Sequence, residues 1–355
     1  MKLWYNLPVM EGNLYVHFPF CRKKCSYCAL HSRAGTSQAD RDAYVRRLAE
    51  RLETEDLGRE TWDTVYFGGG SPALCDLTPL FSSLASHPSS PNPEFTVELH
   101  PLDVTEALME TLKSGGVNRI SMGVQSLDDK TLAHMRRGYT VDEAERAFQL
   151  IRKHFDNAGI DLIVGYPGAD DPMPENLGRL RDWGLRHCSV YSLILEEKSL
   201  LATWIASGKH PELVLPDDDR TMDGLRTVAA FLRELGLERY EISNYAVPGY
   251  ECRHNLAVWR GEDYVGLGEG AYGRRGLTRT RDGEIVETLS AEKDALERRL
   301  FRLRTREGLD ATGRPEWGQT LRTCVREGLL TQEGSVFRLT ERGSEVCDSI
   351  LAELV

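Results

Sequence analysis

The sequence predicts an α/β protein, a partial (β/α)6 TIM-like barrel followed by a small C-terminal helical domain of winged-helix-like form. Two observations predict the barrel. Short apolar runs alternate with amphipathic stretches at intervals of about 30 residues, which is the spacing of right-handed βαβ units in a parallel sheet. Residues that suit chemistry follow the ends of these runs, where the active groups of barrels lie. Six such units favour an open, partial barrel over a closed eight-fold one.

The individual elements follow from the periodicity of apolar residues along the chain. Short runs rich in apolar and β-branched residues predict buried strands, and apolar residues at helical spacing predict the helices between them. Glycines in Ser114-Gly115-Gly116 and Asn157-Ala158-Gly159 predict helix ends. The predicted strands are Leu14–Phe18, Thr64–Phe67, Phe95–Leu99, Arg119–Gly123, Ile160–Gly165 and Ser189–Leu193, and the predicted helices are Gln38–Glu53, Thr105–Ser114, Asp128–Met135, Val141–Phe155 and Asp218–Glu234.

The pattern changes after Tyr245. The next stretch is rich in glycine and aromatic residues and shows few helical repeats, so it predicts a connecting segment. Further on the sequence becomes helix-rich, and the runs Leu329–Thr331 and Val336–Leu339 predict a hairpin around Glu333-Gly334-Ser335. The predicted domains are 1–245 for the barrel, 246–286 for the connecting segment and 287–355 for the winged-helix-like domain.

Composition limits the classes of partner and compartment. The chain has 355 residues and a net charge of −11, which argues against a general nucleic-acid binder and against an anionic membrane surface. No apolar stretch reaches membrane-spanning length, and Met1–Val9 does not resemble a signal peptide. The cysteines outside one short motif are scattered, so we expect reduced thiols and a cytoplasmic protein, with transient membrane association left open.

The most informative motif is a C-x3-C-x2-C run formed by Cys21, Cys25 and Cys28. Three thiolates on one loop suit three corners of a [4Fe–4S] cluster and leave the fourth iron open to a small molecule. The alternatives are a structural zinc site or three unrelated thiols. Zinc usually takes four ligands arranged in two pairs, and only His17 and His31 lie nearby without a second pair downstream.

Further candidate residues follow the later strands. The turn Gly68-Gly69-Gly70-Ser71 ends the second strand, and glycines there allow close approach of the backbone to a ligand, although any tight turn uses them. Glu98 ends the third strand, where a solvated rim carboxylate is as much expected as a ligand. The others are Gln125, Arg137, whose guanidinium fork suits a carboxylate, and Asp161, which suits ribose hydroxyls.

The cysteine run, with Tyr27 before its last cysteine, resembles the radical S-adenosylmethionine (SAM) superfamily. In that superfamily SAM chelates the open iron, and an electron from the cluster cleaves it to a 5'-deoxyadenosyl radical. The resemblance implies that the cluster is held by Cys21, Cys25 and Cys28 and that SAM is bound by Tyr15, Tyr27, Gly69, Gly70, Ser71, Glu98, Gln125, Arg137 and Asp161.

A narrower resemblance covers the chain from about Leu14 to its C-terminus. The motifs look like the branch named for oxygen-independent coproporphyrinogen III oxidase. The true oxidase has a longer N-terminal arm and a further cysteine where Leu30 stands here, so both departures point to the HemW group of haem chaperones. The motifs are Tyr15-x-His17-x-Pro19-Phe20-Cys21, Phe67-Gly-Gly-Gly, Gly123-Val-Gln-Ser, Asp161-Leu-Ile-Val-Gly-Tyr-Pro-Gly and Tyr240-Glu-Ile-Ser-Asn-Tyr.

The run from Cys252 to Trp259 resembles the His-Asn-x-x-Tyr-Trp signature of that group, with Val258 in place of the tyrosine. The resemblance implies that His254 is the haem-iron ligand, because neutral imidazole is a common axial ligand. Cys252 is a second candidate, and the alternative is that His254 only braces a loop. Two further departures are His100, where asparagine is usual, and Gly138-Tyr139, in place of a histidine-containing stretch.

We therefore expect a cytoplasmic radical SAM protein that binds haem and delivers it to an acceptor protein. The alternative is an enzyme that uses the same site on a tetrapyrrole or another substrate: a coproporphyrinogen III dehydrogenase, which is less expected, a HemN-like methyltransferase or a haem-cleaving enzyme. A zinc-bearing DNA-binding regulator is disfavoured by the βαβ series and the acidic charge. The expected partners are haem or another tetrapyrrole, a haem-accepting protein, an electron donor such as flavodoxin or ferredoxin if SAM is cleaved, and a second copy in a homodimer, with no nucleic acid.

Overall fold

The structure is a computed structural model that describes residues 11–54, 61–86, 89–167 and 176–355. The prediction about a signal peptide at Met1–Val9 lies outside the described residues. The first part of the chain forms strands β1 (Glu11–Phe18), β2 (Phe20–Cys21), β3 (Arg33–Ala34), β4 (Thr61–Gly69), β5 (Ser89–Leu99), β6 (Arg119–Gln125), β7 (Asn157–Val164) and β8 (His187–Ser192). Its helices are α1 (Gln38–Thr54), α2 (Thr78–Ala85), α3 (Glu106–Ser114), α4 (Asp129–His134), α5 (Val141–His154), α6 (Leu200–Ser207) and α7 (Asp218–Glu234).

Six of these strands form the predicted parallel barrel sheet. β1, β4, β5, β6, β7 and β8 lie side by side in chain order, and each pair is parallel. Their carboxyl ends therefore meet at one edge of the sheet, which is where barrels carry their functional groups. The sheet is open, since its order in space runs from one edge strand to another over 12 strands. The predicted fold class is confirmed.

Helix ends were predicted correctly at one glycine site and wrongly at another. α3 ends at Ser114, and Gly116 follows with a φ of 85°, a conformation that glycine adopts without strain. α5, however, ends at His154, and Asn157-Ala158-Gly159 begins β7. A Cβ at Gly159 would come within 2.7 Å of the Cβ of His187 on β8, so this strand position requires glycine. The glycine allows close packing of a strand and does not end a helix.

The residues after β8 extend the same sheet. They form β9 (Glu238–Arg239), β10 (Asn244–Ala246), α8 (Arg253–Trp259), β11 (Tyr264–Leu267), β12 (Tyr272–Arg275), β13 (Thr278–Arg281) and β14 (Glu284–Thr288). β11 pairs in parallel with β1, from Asn13 opposite Tyr264 to Val16 opposite Leu267. The segment 246–286, predicted as a connection, thus adds a seventh parallel strand on the other side of β1 and three antiparallel strands beyond it.

The C-terminal residues pack around a core of their own, which includes Leu303, Leu309 and Trp317. The predicted hairpin is present, and a short third strand completes its sheet. None of the helices in the described part of the chain has the length and apolar content needed to span a bilayer. The C-terminal elements are α9 (Ala291–Arg302), β15 (Leu309–Asp310), α10 (Gly318–Arg326), β16 (Leu330–Glu333), β17 (Val336–Leu339), α11 (Glu341–Glu345) and α12 (Cys347–Ala352).

The barrel core gives a direct test of this packing. Phe148 on α5 is fully buried, and its ring stacks on Trp183 at 5.5 Å between centroids. We expect Phe148→Ala to lower the free energy of unfolding by about 3–5 kcal/mol, because it leaves a cavity in a packed core. The measurement is urea unfolding of the apo protein. The exposed Arg146→Ala on the same helix is the control, and an equal effect of both substitutions would contradict the packing.

Candidate functional site

The cysteine loop, residues 21–28, is fastened to the barrel by the serine between its cysteines. Ser26 is fully buried, its hydroxyl donates to the carbonyl of His134 at 2.9 Å, and its N–H donates to the carbonyl of Met135 at 3.2 Å. Its own carbonyl accepts from the N–H of Leu201 on α6 at 2.7 Å. The loop is therefore held between the ends of two helices, while the three cysteines form no disulfide and are only partly buried.

The thiols of this loop lie beside a buried positive charge. Burial raises the pKa of the Cys21 and Cys28 thiols. Arg137 is only 8% exposed, and its Nη1 donates to Sγ of Cys25 at 3.2 Å. Tyr27 packs against the apolar cluster that includes Leu201 on α6. The neighbouring guanidinium stabilises negative charge on the thiols. The loop therefore favours the thiolate form of its cysteines, which is the form that binds iron.

The glycine turn at the end of β4 packs against the carboxyl end of β1. The N–H of Gly70 donates to the carbonyl of Phe18 at 2.7 Å, and the N–H of Ser71 donates to the carbonyl of Phe20 at 2.7 Å. A Cβ at Gly70 would overlap the Phe20 carbonyl, and a Cβ at Gly69, where φ is 106°, would meet the ring of His17. The glycines are therefore required by the packing of the turn against the first strand and its cysteine loop.

Asp103 links this turn to the cysteine loop, and no motif in the sequence singles it out. Its carboxylate accepts from the hydroxyl of Ser71 and, at 2.5 Å, from Nε of Arg22. Asp103 is 6% exposed and lies in the short turn of 3-10 helix that follows β5. Each oxygen of this buried carboxylate accepts one hydrogen bond, which offsets the cost of burying it and fixes the turn against the loop.

The carboxylate of Glu98 is hydrogen-bonded within the barrel, so it is not the solvated rim carboxylate that was the alternative expectation. Its Oε2 accepts from the N–H of Gly69 at 3.0 Å, and its Oε1 accepts from the hydroxyl of Tyr66 at 2.8 Å. Burial and the neighbouring Asp161 raise the pKa of Glu98 to about 7. Asp161 itself accepts from the hydroxyl of Ser121 at 3.0 Å, and burial raises its pKa. Two interacting carboxylates, on β5 and β7 with β6 between them, favour a ligand with positive charge.

A strained bulge directs Gln125. The pairing of β6 with β7 shifts register between Gly123 and Gln125, and Gln125 has a φ of 72°, which is rare for a residue with a side chain. The side-chain amide of Gln125 turns back over Gly123. A Cβ added at Gly123 would lie only 2.7 Å from Nε2 of Gln125. Strain of this kind at a strand end is typical of functional sites.

Tyr15 begins a short chain of hydrogen bonds. The carbonyl of His31 accepts from Nε2 of His17 at 2.9 Å, so Nδ1 of His17 is the acceptor for the hydroxyl of Tyr15, also at 2.9 Å. The ring of Tyr15 lies 6.0 Å from that of Tyr66, whose hydroxyl reaches Glu98. The structure thus brings Tyr15 and the residues of the glycine turn together at the carboxyl ends of β1 and β4.

His254, on α8, lies beside the amino-terminal half of β4, away from the carboxyl ends of the strands. It is 5% exposed, and its Nδ1 is 2.7 Å from the hydroxyl of Thr64 on β4. Its N–H donates to Glu94 at 3.1 Å, and the ring of Tyr66 packs at 5.2 Å from the imidazole. Burial, together with the nearby Arg119, lowers the pKa of His254 to about 3, so its imidazole is neutral. Cys252 at the start of α8 is fully buried and donates to the same Glu94.

Two lumen residues were missed by sequence reasoning. Arg119 is 1% exposed at the start of β6 and supplies positive charge among the interior carboxylates. Its signal is a charged residue that opens an apolar strand. Tyr191 near the end of β8 is 42% exposed, and desolvation together with the charge of Asp161 raises the pKa of its hydroxyl. Tyr191 lies two residues after Ser189, so the two side chains are on the same face of β8, and this spacing is the sequence signal.

Comparisons with known proteins identify the class and the family. The family model of the radical SAM superfamily matches residues 15–180, so this stretch of the chain is a radical SAM domain. "Heme chaperone HemW" of Mycobacterium tuberculosis is 31% identical over 98% of this chain and 96% of that protein. "Heme chaperone HemW" of Escherichia coli is 34% identical over 96% of this chain and 97% of that protein. The chain therefore belongs to the HemW family.

The fold is also that of a solved structure. The coproporphyrinogen III oxidase HemN from Escherichia coli, described as a radical SAM enzyme, superposes with a TM-score of 0.80 over 98% of this chain and 91% of that chain. The identity is 20%, so the likeness concerns the fold alone. Membership of the radical SAM superfamily implies a [4Fe–4S] cluster and SAM. The residues present fit these groups: three partly buried thiols share one anchored loop, and the lumen beside them carries carboxylates suited to a cationic ligand.

Proposed function

We propose that this chain is a haem chaperone of the HemW type, which carries a [4Fe–4S] cluster and SAM, binds haem and passes it to an acceptor protein. The observation that supports this most strongly is similarity along nearly the whole chain to two proteins of that name, at 31% and 34% identity. The match includes the part of the chain beyond the barrel, where His254 and the C-terminal elements lie.

The proposed cluster ligands are Cys21, Cys25 and Cys28. When bound and reduced, the cluster supplies the electron that cleaves SAM. The protein's residues hold and orient the ligand. Glu98 is suited to receive an ammonium group, and Asp161 is suited to accept from ribose hydroxyls. The other proposed SAM-binding residues are Tyr15, Tyr27, Gly69, Gly70, Ser71, Gln125 and Arg137.

The proposed haem-iron ligand is His254. Its low pKa supports the role, because only the neutral imidazole has a free lone pair for iron. Its burial and its hydrogen bond with Thr64 mean that haem reaches it only when α8 moves away from β4. Coupling of that kind between binding and a local movement suits a protein that must also release its cargo.

The proposed partners follow from charge and from the class. Lys23 and Lys24 are exposed beside the cysteines, on a chain whose net charge is −11. Such a local positive patch supports docking of an acidic electron donor of the flavodoxin or ferredoxin class. The haem acceptor is a second proposed partner. The homodimer, the cytoplasmic location and the transient membrane association stay predictions.

We expect SAM affinity to depend on the ionisation of Glu98. The carboxylate binds an ammonium group only when deprotonated, so affinity approaches its full value at about pH 8 and falls as pH decreases through the pKa of about 7. At pH 6 the dissociation constant should be about tenfold larger than at high pH. Equilibrium binding at pH 6 to 8 measures this.

Glu98→Gln should weaken SAM binding and remove the pH dependence. Glu241→Gln is the matched control, because Glu241 is also buried with a pKa raised to about 7 by burial, and it bonds to Trp259 instead. The control should keep the pH dependence. Constant wild-type affinity across this range would contradict the role of Glu98.

Haem affinity should fall by about tenfold in His254→Ala, because an axial ligand is lost. The measurement is a haem titration followed by the visible absorption spectrum, which also reports the change in iron ligation. His187→Ala is the control: His187 is equally buried, is 2.8 Å from the hydroxyl of Tyr240, and has no proposed role in haem binding. Equal losses in both variants would assign His254 a structural role.

The function itself is tested by anaerobic reconstitution with iron and sulfide, followed by reduction with SAM and haem each present or absent. We expect stable haem binding, transfer to an apo-acceptor and little 5'-deoxyadenosine. Rapid 5'-deoxyadenosine formation with modification of the tetrapyrrole would instead support the enzyme. Cys28→Ala, which removes a proposed cluster ligand, is the control that should form no 5'-deoxyadenosine.

A further inference from the structure

All three kinds of nitrogen in the Arg137 side chain are engaged. Nε donates to the hydroxyl of Tyr139 at 2.9 Å, Nη2 donates to the carbonyl of Gly123 at 2.6 Å, and Nη1 donates to Sγ of Cys25 at 3.2 Å. Because the guanidinium is planar and its donors have a fixed geometry, two bonds to the barrel determine where the third points. The third points at the middle cysteine of the cluster loop.

Tyr139 is the support on which this orientation depends. It is 6% exposed, and besides accepting from Arg137 its hydroxyl lies 2.8 Å from the carbonyl of Val124. The single hydroxyl proton is donated to a β6 carbonyl, so the oxygen's lone pairs remain to receive the N–H of Arg137. The ring is thereby fixed to the end of β6, and the arginine is fixed to the ring.

His100 covers the outer side of this arrangement. Its ring meets Tyr139 edge to face at 5.1 Å between centroids, and its Nδ1 accepts from the N–H of Leu102 at 3.2 Å. Burial and the nearby Arg137 lower the pKa of His100 to about 3, so the ring is neutral and adds no second positive charge. The charged and titratable groups around the guanidinium are Cys25 and Tyr27 on the loop, Tyr139, and Asp161 on β7.

We propose that Tyr139, packed beneath His100, is a positioning residue that holds Arg137 on Cys25 and thereby raises the reduction potential of the iron–sulfur cluster. This inference rests on the proposed cluster ligands. Hydrogen bonds to cluster sulfurs and nearby positive charge stabilise the more negative, reduced cluster. The guanidinium is buried, so its field is weakly screened. One electron passes from a flavodoxin- or ferredoxin-class donor, which is oxidised, to the cluster, which is reduced, and no bond forms or breaks.

The functional consequence concerns SAM. A higher cluster potential makes reduction by the donor more favourable and makes onward transfer of the electron to SAM less favourable. An Arg137 side chain that donates to Cys25 also has fewer N–H groups left to bind SAM. The arrangement therefore suits a protein that keeps SAM bound while cleaving it slowly, as carriage of intact haem requires.

The test is a redox titration of the reconstituted full-length protein, followed by the EPR signal of the reduced cluster. Tyr139→Phe keeps the ring and removes the hydroxyl that holds Nε. At the potential where the wild-type cluster is half reduced, we expect the ratio of reduced to oxidised cluster to fall about threefold to tenfold, and tenfold corresponds to about 59 mV for one electron. Tyr245→Phe, at another buried tyrosine on β10, is the control and should leave the potential unchanged.

Two further variants keep the proposal testable if Tyr139→Phe fails to fold. Arg137→Lys retains the charge and loses the fork, and it should lower the potential at least as much. His100→Asn retains an acceptor for the N–H of Leu102 and removes the covering ring, and it should lower the potential less. Full iron content with an unchanged potential in Arg137→Lys and in whichever other variants fold would overturn the proposal, and weaker SAM binding in those variants would then assign Arg137 to SAM. Absence of iron from the wild-type protein would refute the proposed cluster ligands instead.

Discussion

The close approach of one glycine turn to the first strand is the constraint on which the candidate site depends. Gly70 and Ser71 donate to the carbonyls of Phe18 and Phe20, which fixes the backbone that leads into Cys21. The preceding N–H, that of Gly69, donates to Glu98. Three successive N–H groups therefore set both the cysteine loop and the carboxylate. A side chain at the middle position would overlap a carbonyl oxygen, so neither could keep its place.

Charge inside the barrel is balanced only in part by the protein itself. Glu98 and Asp161 interact across the lumen, and the pKa values of both are raised because two negative charges in a buried site repel and are poorly solvated. Arg119 lies close enough to offset them, although it is not hydrogen-bonded to either. SAM carries a sulfonium and an ammonium, so its binding would restore the ionised form of Glu98. The electrostatics of the lumen thus favour a cationic ligand in particular.

Local patterns in the sequence predicted the barrel well, and long-range contacts were beyond them. The six parallel strands follow from apolar runs, since each buried strand must carry such a run whatever its neighbours. The parallel pairing of β11 with β1 joins residues about 250 positions apart, and no local pattern encodes it. The cysteines were visible because their spacing suits the proposed cluster. Ser26 and Asp103 were not visible, because their importance comes from partners that only the folded chain brings near.

The two proposed ligand sites share aromatic side chains, and that contact bears on the function. The ring of Tyr15, a proposed SAM-binding residue, lies 6.4 Å between centroids from the imidazole of His254. Tyr66 joins the two sites as well, with its ring on His254 and its hydroxyl on Glu98. A movement of α8 that uncovered His254 for haem would therefore remove a packing partner from both tyrosines. Haem binding at His254 and SAM binding at Glu98 would then be coupled, because both depend on the position of the same two rings.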